Sequence, residues 1–462
     1  MTFQQCISKK NVSWLCSIGL PLLLFLIPVS ESFNQKIQIF LYLSFVCILI
    51  VAFNLLDPIV PSILLPTILY ALNIVDNATA FSAWTQPTLW MILGAFVLTG
   101  VLQEIGLLNR IAYWIIKKCG GTYTKTLYAI YFVGLILGVI TFNGHYLILI
   151  SLTYGICRAM GFGKTKESLV LMMVGSLGAL NVKLFAYRPA TTSLMIAGVQ
   201  SVDPDYNLTM LQQMFYMIPS IFMAISFIWL LTKIYKTKNF DLPNGKEYFE
   251  KQYEKLGKMN SAEKKGVLIL AILMIWIVTE PIHKINANLS FMILPWLCFI
   301  PGVKIGSEKT LKNINWNIIC FIAACLTIGT VGAKLGFSSL IQATLEPSLQ
   351  GVGKGTFLFI ILLIGTLANF ILSPAAMMGC LPAPVTELAS VIGLEPTACL
   401  LTINFSSDMV FMPHEVPAYL IMFSFGLISM KDFIKVSTLK VLWFFILFVL
   451  IQIPWWIFVG II

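Results

Sequence analysis

The chain is predicted to be an all-α polytopic membrane protein. It should have about eleven transmembrane helices and two re-entrant helical hairpins, arranged as two inverted repeats. Three observations predict this. Of 462 residues, 58% are hydrophobic and only 11% are charged, where a soluble domain carries roughly 25% charged residues. Several runs are apolar for the roughly 20 residues a helix needs to cross a bilayer, and their continuity, without alternation, excludes a β-barrel. Two runs are also interrupted at corresponding places: ITFNGHYLILISL around Asn143, and LANFILSPAAMMGCLP around Ser373. Gly106 and Gly336 are 230 residues apart, and the same offset carries Asn143 onto Ser373. Paired, Gly/Pro-interrupted segments in the two halves of a membrane protein mark a binding site at a repeat interface. Non-helical backbone at membrane depth persists only where protein buries it or a wet cavity solvates it.

Taken in order, the apolar spans fall near 12–30, 37–55, 59–75, 84–104, 124–142, 145–160, 167–199, 211–232, 266–282, 287–301, 316–342, 355–372, 375–392, 396–412, 417–429 and 437–462. The first resembles a signal peptide, with Lys9 and Lys10 before an apolar core. That core continues to Val29 with no small-residue cleavage site, so residues 1–35 are read as an N-terminal helix. Lysine and arginine then sort the loops. The segments Arg110–Lys125, Arg158–Lys166, Lys233–Lys265, Lys304–Lys312 and Lys431–Lys440 are assigned inside. The segments 31–36, 76–83, 200–210 and 280–287 are assigned outside. This alternation requires the hairpin 124–160 to open inside and the hairpin 355–392 to open outside, which makes the repeats inverted. It places the N-terminus inside and the C-terminus outside. The net charge of +10 then reflects topology and gives no reason to expect nucleic acid.

The first repeat covers 36–232, with hairpin 124–160 and a broken helix at 167–199. The second covers 266–462, with hairpin 355–392 and a broken helix at 396–429. Between them, residues 233–265 hold nine lysines and five acids and read as a cytoplasmic linker. The ten cysteines are scattered, most inside apolar runs, and none forms a Cys-x-x-Cys pair; they read as buried thiols. No phosphate loop, nucleophile elbow or metalloprotease motif appears, so no enzyme is expected.

Three stretches resemble the divalent anion/sodium symporter family of the wider ion-transporter superfamily. MILGAFVLTGVLQEIGLLNRIAYWIIKKCGG is similar to the family's span running into a cytoplasmic amphipathic arm. The two hairpins occupy the places of its Ser-Asn-Thr motifs. INFSSDMVFMPHEVPAYLIMFSFGLISMKDFIKV is similar to its last broken helix. The motif positions here are Phe142, Asn143 and Gly144 in the first hairpin and Leu372, Ser373 and Pro374 in the second, so only Asn143 is retained. The resemblance implies a transporter of carboxylate anions, a site at the hairpin tips and a homodimer. The departures remove oxygen ligands that a hard cation requires, which weakens the case for sodium coupling and, with it, for strict dicarboxylate specificity.

Within that frame, Asn143, Gly144, Ser373, Pro374 and the turn from Pro413 to Pro417 are expected to contact the substrate. Lys183 and Arg188, in GALNVKLFAYRPATTS at the first helix break, are cations at membrane depth and therefore candidates for an anion site. Arg188→Gln is expected to abolish transport with the fold intact. Asp408, His414 and Glu415 lie in NFSSDMVFMPHEVP at the second break. With Asn143 and His145 they are the candidates for a coupling ion or proton. A structural alternative pairs Glu415 with Lys183 or Arg188. The chain is thus expected to move a small di- or tricarboxylate-like anion by alternating access in a bacterial inner membrane. No cofactor is expected beyond a coupling Na⁺ or H⁺. A cation/proton antiporter and a non-transporting sensor or scaffold are the competing readings.

Overall fold

The computed structural model describes residues 9–30, 33–53, 55–119, 122–141, 145–237, 250–286, 288–336, 351–369 and 374–462. Asn143, Gly144 and Ser373 lie outside the described residues, as do the side chains of His414 and Pro417.

The chain is an integral membrane protein built of helices. The first half opens with α1 (Lys9–Gly19), α2 (Gln35–Ala52), α3 (Ile59–Ala71) and the single turn α4 (Asn77–Ala80). The expected first span is broken. α1 stops at Gly19, and Pro21–Leu26 continues as a tighter 3₁₀ helix, because the Gly and Pro of IGLP interrupt the α-helical ladder. α5 (Pro87–Glu104) leads into the amphipathic arm α6 (Leu107–Cys119). The hairpin follows as α7 (Tyr123–Ile140) and α8 (His145–Ala159). The broken helix is three pieces: α9 (Lys166–Leu180), α10 (Val182–Phe185) and α11 (Thr192–Gln200). α12 (Met210–Tyr216) and α13 (Ile218–Ile234) close the half, bent by 47° at their junction.

The second half runs α14 (Ser261–His283), α15 (Asn288–Leu297), α16 (Glu308–Lys312) and α17 (Trp316–Lys334). Its hairpin is α18 (Lys354–Ala368) followed by α19 (Pro374–Cys380) and α20 (Pro382–Val391). The second broken helix is α21 (Pro396–Ser406), a 3₁₀ turn at Pro413–Glu415 and α22 (Pro417–Ser424). The chain ends in α23 (Met430–Leu447), a π-helical turn and α24 (Ile453–Val459). Among the described residues five helices are long and apolar enough to cross a membrane alone, and the bent α12–α13 pair makes a sixth.

The aligned glycines behave alike. Gly106 has φ +78° and Gly336 has φ +76°. Each follows a span whose last residue, Ile105 or Leu335, is still right-handed. Gly106 donates to the carbonyl of Gln103 at 3.1 Å, and Gly336 to that of Ala333 at 3.1 Å. Positive φ without a Cβ penalty is what ends a helix here.

One expectation is corrected. Lys431–Lys440 was assigned to an inside loop, yet α23 begins at Met430, capped by the Ser429 hydroxyl, which accepts from the amide of Asp432. Lys440 is therefore ten residues into a helix, about 15 Å from its start, and is buried. It is stable there because a carboxylate meets it.

α9 is buried on all sides, with every residue from Ser168 to Ala179 inside, so it forms the centre of the first half. Small residues let its neighbours approach. A Cβ on Gly134 of α7 would stand 2.4 Å from the backbone of Gly178 in α9, a crossing of the small-residue type that membrane helices favour.

Candidate functional site

Both helix breaks and both hairpin flanks meet at one place. α10 packs against α7 and against α21. The chemistry of the place follows from unfinished helix ends, since the last carbonyls of a helix have no intrahelical partner. Four such ends or near-ends come together, and the chain's own side chains satisfy them.

The end of α21 is the most heavily served. Nζ of Lys183 donates to the carbonyl of Ser407 at 2.8 Å. Nζ of Lys440 donates to the carbonyl of Asp408 at 2.9 Å and to its Oδ2 at 2.7 Å. Nδ2 of Asn369, the last described residue before the second hairpin tip, donates to the carbonyls of Ser406 at 2.7 Å and Met409 at 3.2 Å. The carbonyl of Lys183 in turn accepts from Nδ2 of Asn404 at 2.9 Å. Residues 183 and 404–408, from opposite halves of the chain, are thus bound to each other in both directions.

The ends of α7 and α9 are closed from the first half alone. Nη1 of Arg188 donates to the carbonyls of Gly138 and Thr141, at 2.7 and 2.8 Å. Thr141 is the last described residue before the first hairpin tip. Cations at helix C-termini are favoured by the aligned peptide dipoles. Nε2 of His145 meets the carbonyl of Ala179 at 2.7 Å; a carbonyl only accepts, so Nε2 carries the hydrogen. Hydroxyl Oη of Tyr131 donates to Oδ1 of Asn181 at 3.1 Å.

Asp408 is the carboxylate at the centre. It is 1% exposed and faces two ammonium groups, Lys440 at 2.7 Å and Lys183 at 3.7 Å. The ion pair expected between Glu415 and Lys183 or Arg188 is not among the described contacts. Glu415 instead turns Oε1 back to the amides of Phe411 and Met412, at 3.1 and 2.7 Å. Its short 3₁₀ turn after Pro413 makes that geometry natural. Pro413 opens the turn and Pro417 opens α22, while Pro374 opens α19.

Five buried polar atoms around this centre have no partner among the described residues: Nδ1 of His145, Nδ2 of Asn181, Oδ1 of Asn369, Oδ1 of Asn404 and Oε2 of Glu415. Buried polar atoms left open are rare enough that each one asks for an occupant.

Of the residues singled out from the sequence, Lys183, Arg188, His145, Asp408 and Glu415 fall in this region, with Pro413 opening the turn that carries Glu415. Lys440, Asn369, Asn404 and Asn181 were missed. Asn369 stands alone in LLIGTLANFILSP, and an amide inside an apolar run was the available signal. For Lys440 the signal was Ser429, whose N-cap pattern puts the helix start well before the lysine.

The family described as the sodium:sulfate symporter transmembrane region matches residues 8–462. Similar characterised proteins include the sodium-dependent dicarboxylate transporter SdcS of Staphylococcus saprophyticus, 21% identical over 414 residues, covering 82% of this chain and 79% of that protein. The SdcS of Staphylococcus aureus strain USA300 is 22% identical over 425 residues, covering 82% and 78%. Among solved structures, the YdaH transporter of Alcanivorax borkumensis superposes with a TM-score of 0.59 at 16% identity, over 88% of this chain and 99% of that one. Neisseria gonorrhoeae MtrF, described with a class of antimetabolite efflux pumps, gives 0.58 at 12% identity over 79% and 80%; both likenesses are of fold. The chain therefore belongs to the sodium:sulfate symporter transmembrane-region family and is an integral membrane transporter.

Proposed function

We propose that the protein carries a small dicarboxylate-like anion across the membrane by alternating access, with a proton favoured over sodium as the coupling species. The observation that carries this reading is the charge at the junction of the two halves. Lys183, Arg188 and Lys440 stand there against Asp408 and Glu415, all at the level of the helix breaks. Cations at membrane depth are costly and mark function by default, and the excess here is positive, which suits an anion. The dicarboxylate class is supported by what the similar SdcS proteins are named for. Asn143, Gly144 and Ser373 remain in this proposal as the tip residues that complete the site, with Pro374, Pro413 and Pro417 shaping its backbone.

A proton is favoured over sodium for a physical reason. In transporters with broken helices, coupling cations are held by unwound carbonyls and half-helix C-terminal ends. Among the described residues, the carbonyls at these helix ends accept from Lys183, Lys440, Asn369, Arg188 and His145. Fixed ammonium and guanidinium groups supply the positive charge an ion would bring. The free oxygen of Glu415 makes a proton the better coupling species. The N-terminus and the Lys-rich linker are placed in the cytoplasm of a bacterial cell, and the protein is taken to act as a homodimer.

Uptake of labelled succinate into proteoliposomes tests this. Saturable uptake, equal in sodium and choline buffers and faster with an inward proton gradient, is the expected result. Glu415→Gln should remove the acceleration by protons and keep the basal rate. Strict dependence on sodium would refute the charge-replacement argument, and no uptake under any gradient would favour a sensor or scaffold.

A further inference from the structure

Asp408 is shared by two lysines, and they do not share it equally. Lys440 is 2.7 Å from Oδ2 and also holds the backbone carbonyl of the same residue at 2.9 Å. Its side chain is 5% exposed. Lys183 stands 3.7 Å from Oδ1, beyond hydrogen-bond distance, and spends its described hydrogen bond on the carbonyl of Ser407. It is the more open of the two, at 14%. Lys440 arrives from α23 and Lys183 from α10, next to Arg188 and the flank of the first hairpin tip.

We propose that Lys440 is a positioning residue that neutralises and anchors Asp408, so that Lys183 pairs with the carboxylate only loosely, outside hydrogen-bond distance, and meets the transported anion. The division of labour follows from geometry. One carboxylate can be fully matched by one ammonium in good contact, and the second ammonium is then left with uncompensated charge. If Lys440 were absent, the buried Asp408 would have one cation within reach. It would draw Lys183 the last ångström from a loose ion pair into hydrogen-bond contact, because an isolated buried charge is far costlier than a paired one. The anion would then have to displace Asp408 to reach Lys183. Lys440 thus acts on the substrate through a residue that itself need not touch it. The inference rests on the anion-transport reading above and deepens it.

The test is suppression, read as KM against maximal rate. Lys183→Met, Lys440→Met and Asp408→Asn are made singly, with the doubles Asp408→Asn/Lys440→Met and Asp408→Asn/Lys183→Met. Labelled succinate uptake in proteoliposomes and melting of the purified protein are measured for each, with Lys440→Arg as the conservative control. Lys440→Met should raise KM at least tenfold, and adding Asp408→Asn should bring KM back to within about threefold of wild type while restoring the melting temperature. Asp408→Asn should not restore KM to Lys183→Met. Lys440→Arg should keep the wild-type KM. A purely structural Lys440 would lower the maximal rate and melting temperature without moving KM.

Equal KM defects in the two doubles, or a normal KM in Lys183→Met, overturn the assignment while leaving transport itself established. Wild-type protein that takes up no succinate overturns the transport reading and with it the role of Lys183. In that case the melting-temperature cycle alone still decides whether Lys440 and Asp408 pair.

Discussion

Single donors decide how the unwound backbone survives at membrane depth. Asn369 shows this most plainly: one amide nitrogen closes two carbonyls at the end of α21, and the residue is 4% exposed. Asn369→Ala should cost about 1–3 kcal/mol, the penalty for leaving buried acceptors open, seen as a lower melting temperature; unchanged melting would mean water replaces the amide without loss. Arg188 carries two tasks at once. From the sequence it was expected to serve the anion alone, so that Arg188→Gln would spare the fold. Because its Nη1 holds the end of α7, the same substitution should now lower both uptake and melting temperature. Arg188→Lys should recover part of each. A variant that loses uptake at the wild-type melting temperature would return Arg188 to a binding role only. What the sequence disclosed at this scale was which residue types sat at the breaks. It did not disclose partners. Lys183 and Ser407 are 224 residues apart, and nothing in helical periodicity pairs them. Lys440 was hidden by a good rule, since lysines before an apolar run usually mark a cytoplasmic loop.

At the scale of elements, the breaks were legible because Gly, Pro and Asn interrupt helices for reasons that hold anywhere in a chain. The gap after α9, the turn at Pro413 and the divided hairpin arm at Pro382 all follow from such residues. The crossings between elements were not legible, because they depend on which small residue faces which neighbour. Gly365 of α18 is a case: a Cβ there would stand 2.1 Å from Oγ of Ser406 on α21. Gly365→Ala must therefore push the second hairpin away from the broken helix at the point where Asn369 and the lysines close its end. Overpacking of this kind typically costs about 1–3 kcal/mol. The expected signature is a lowered melting temperature together with slower succinate uptake, since the same displacement loosens the site. Melting and uptake both at wild-type values would show that the two helices shift apart there without cost, since the Ser406 Cβ itself would lie 2.7 Å from the added carbon.

For the whole molecule, the question is which side of the membrane reaches the site. A cavity of about 310 Å³ lies between the arm α6 and the first half of α8, lined by Gln103, Asn109, Tyr113, Leu147, Ile148 and Ser151. It starts within a turn of His145, beside the first hairpin tip, and its polar lining suits water and a charged solute better than lipid. The elements that enclose it end in cations: Lys117 and Lys118 on α6, and Arg158 at the end of α8. From the bias of lysine and arginine toward the cytoplasm, we expect the cavity to face inward. Ser151→Cys should accordingly react with a membrane-impermeant methanethiosulfonate reagent added to inside-out vesicles, relative to the wild-type chain as blank. Reaction in right-side-out vesicles should be much slower. Saturating succinate should slow the cytoplasmic reaction if the cavity is the solute's path, whereas equal reactivity from both faces would mean that the cavity is a surface cleft with no part in access. Because the arm α6 is pinned by Arg110 to Glu263 of α14 at 2.8 Å and to the linker carbonyls of Leu256 and Gly257, closing the cavity requires α8 to approach a wall that is held in place.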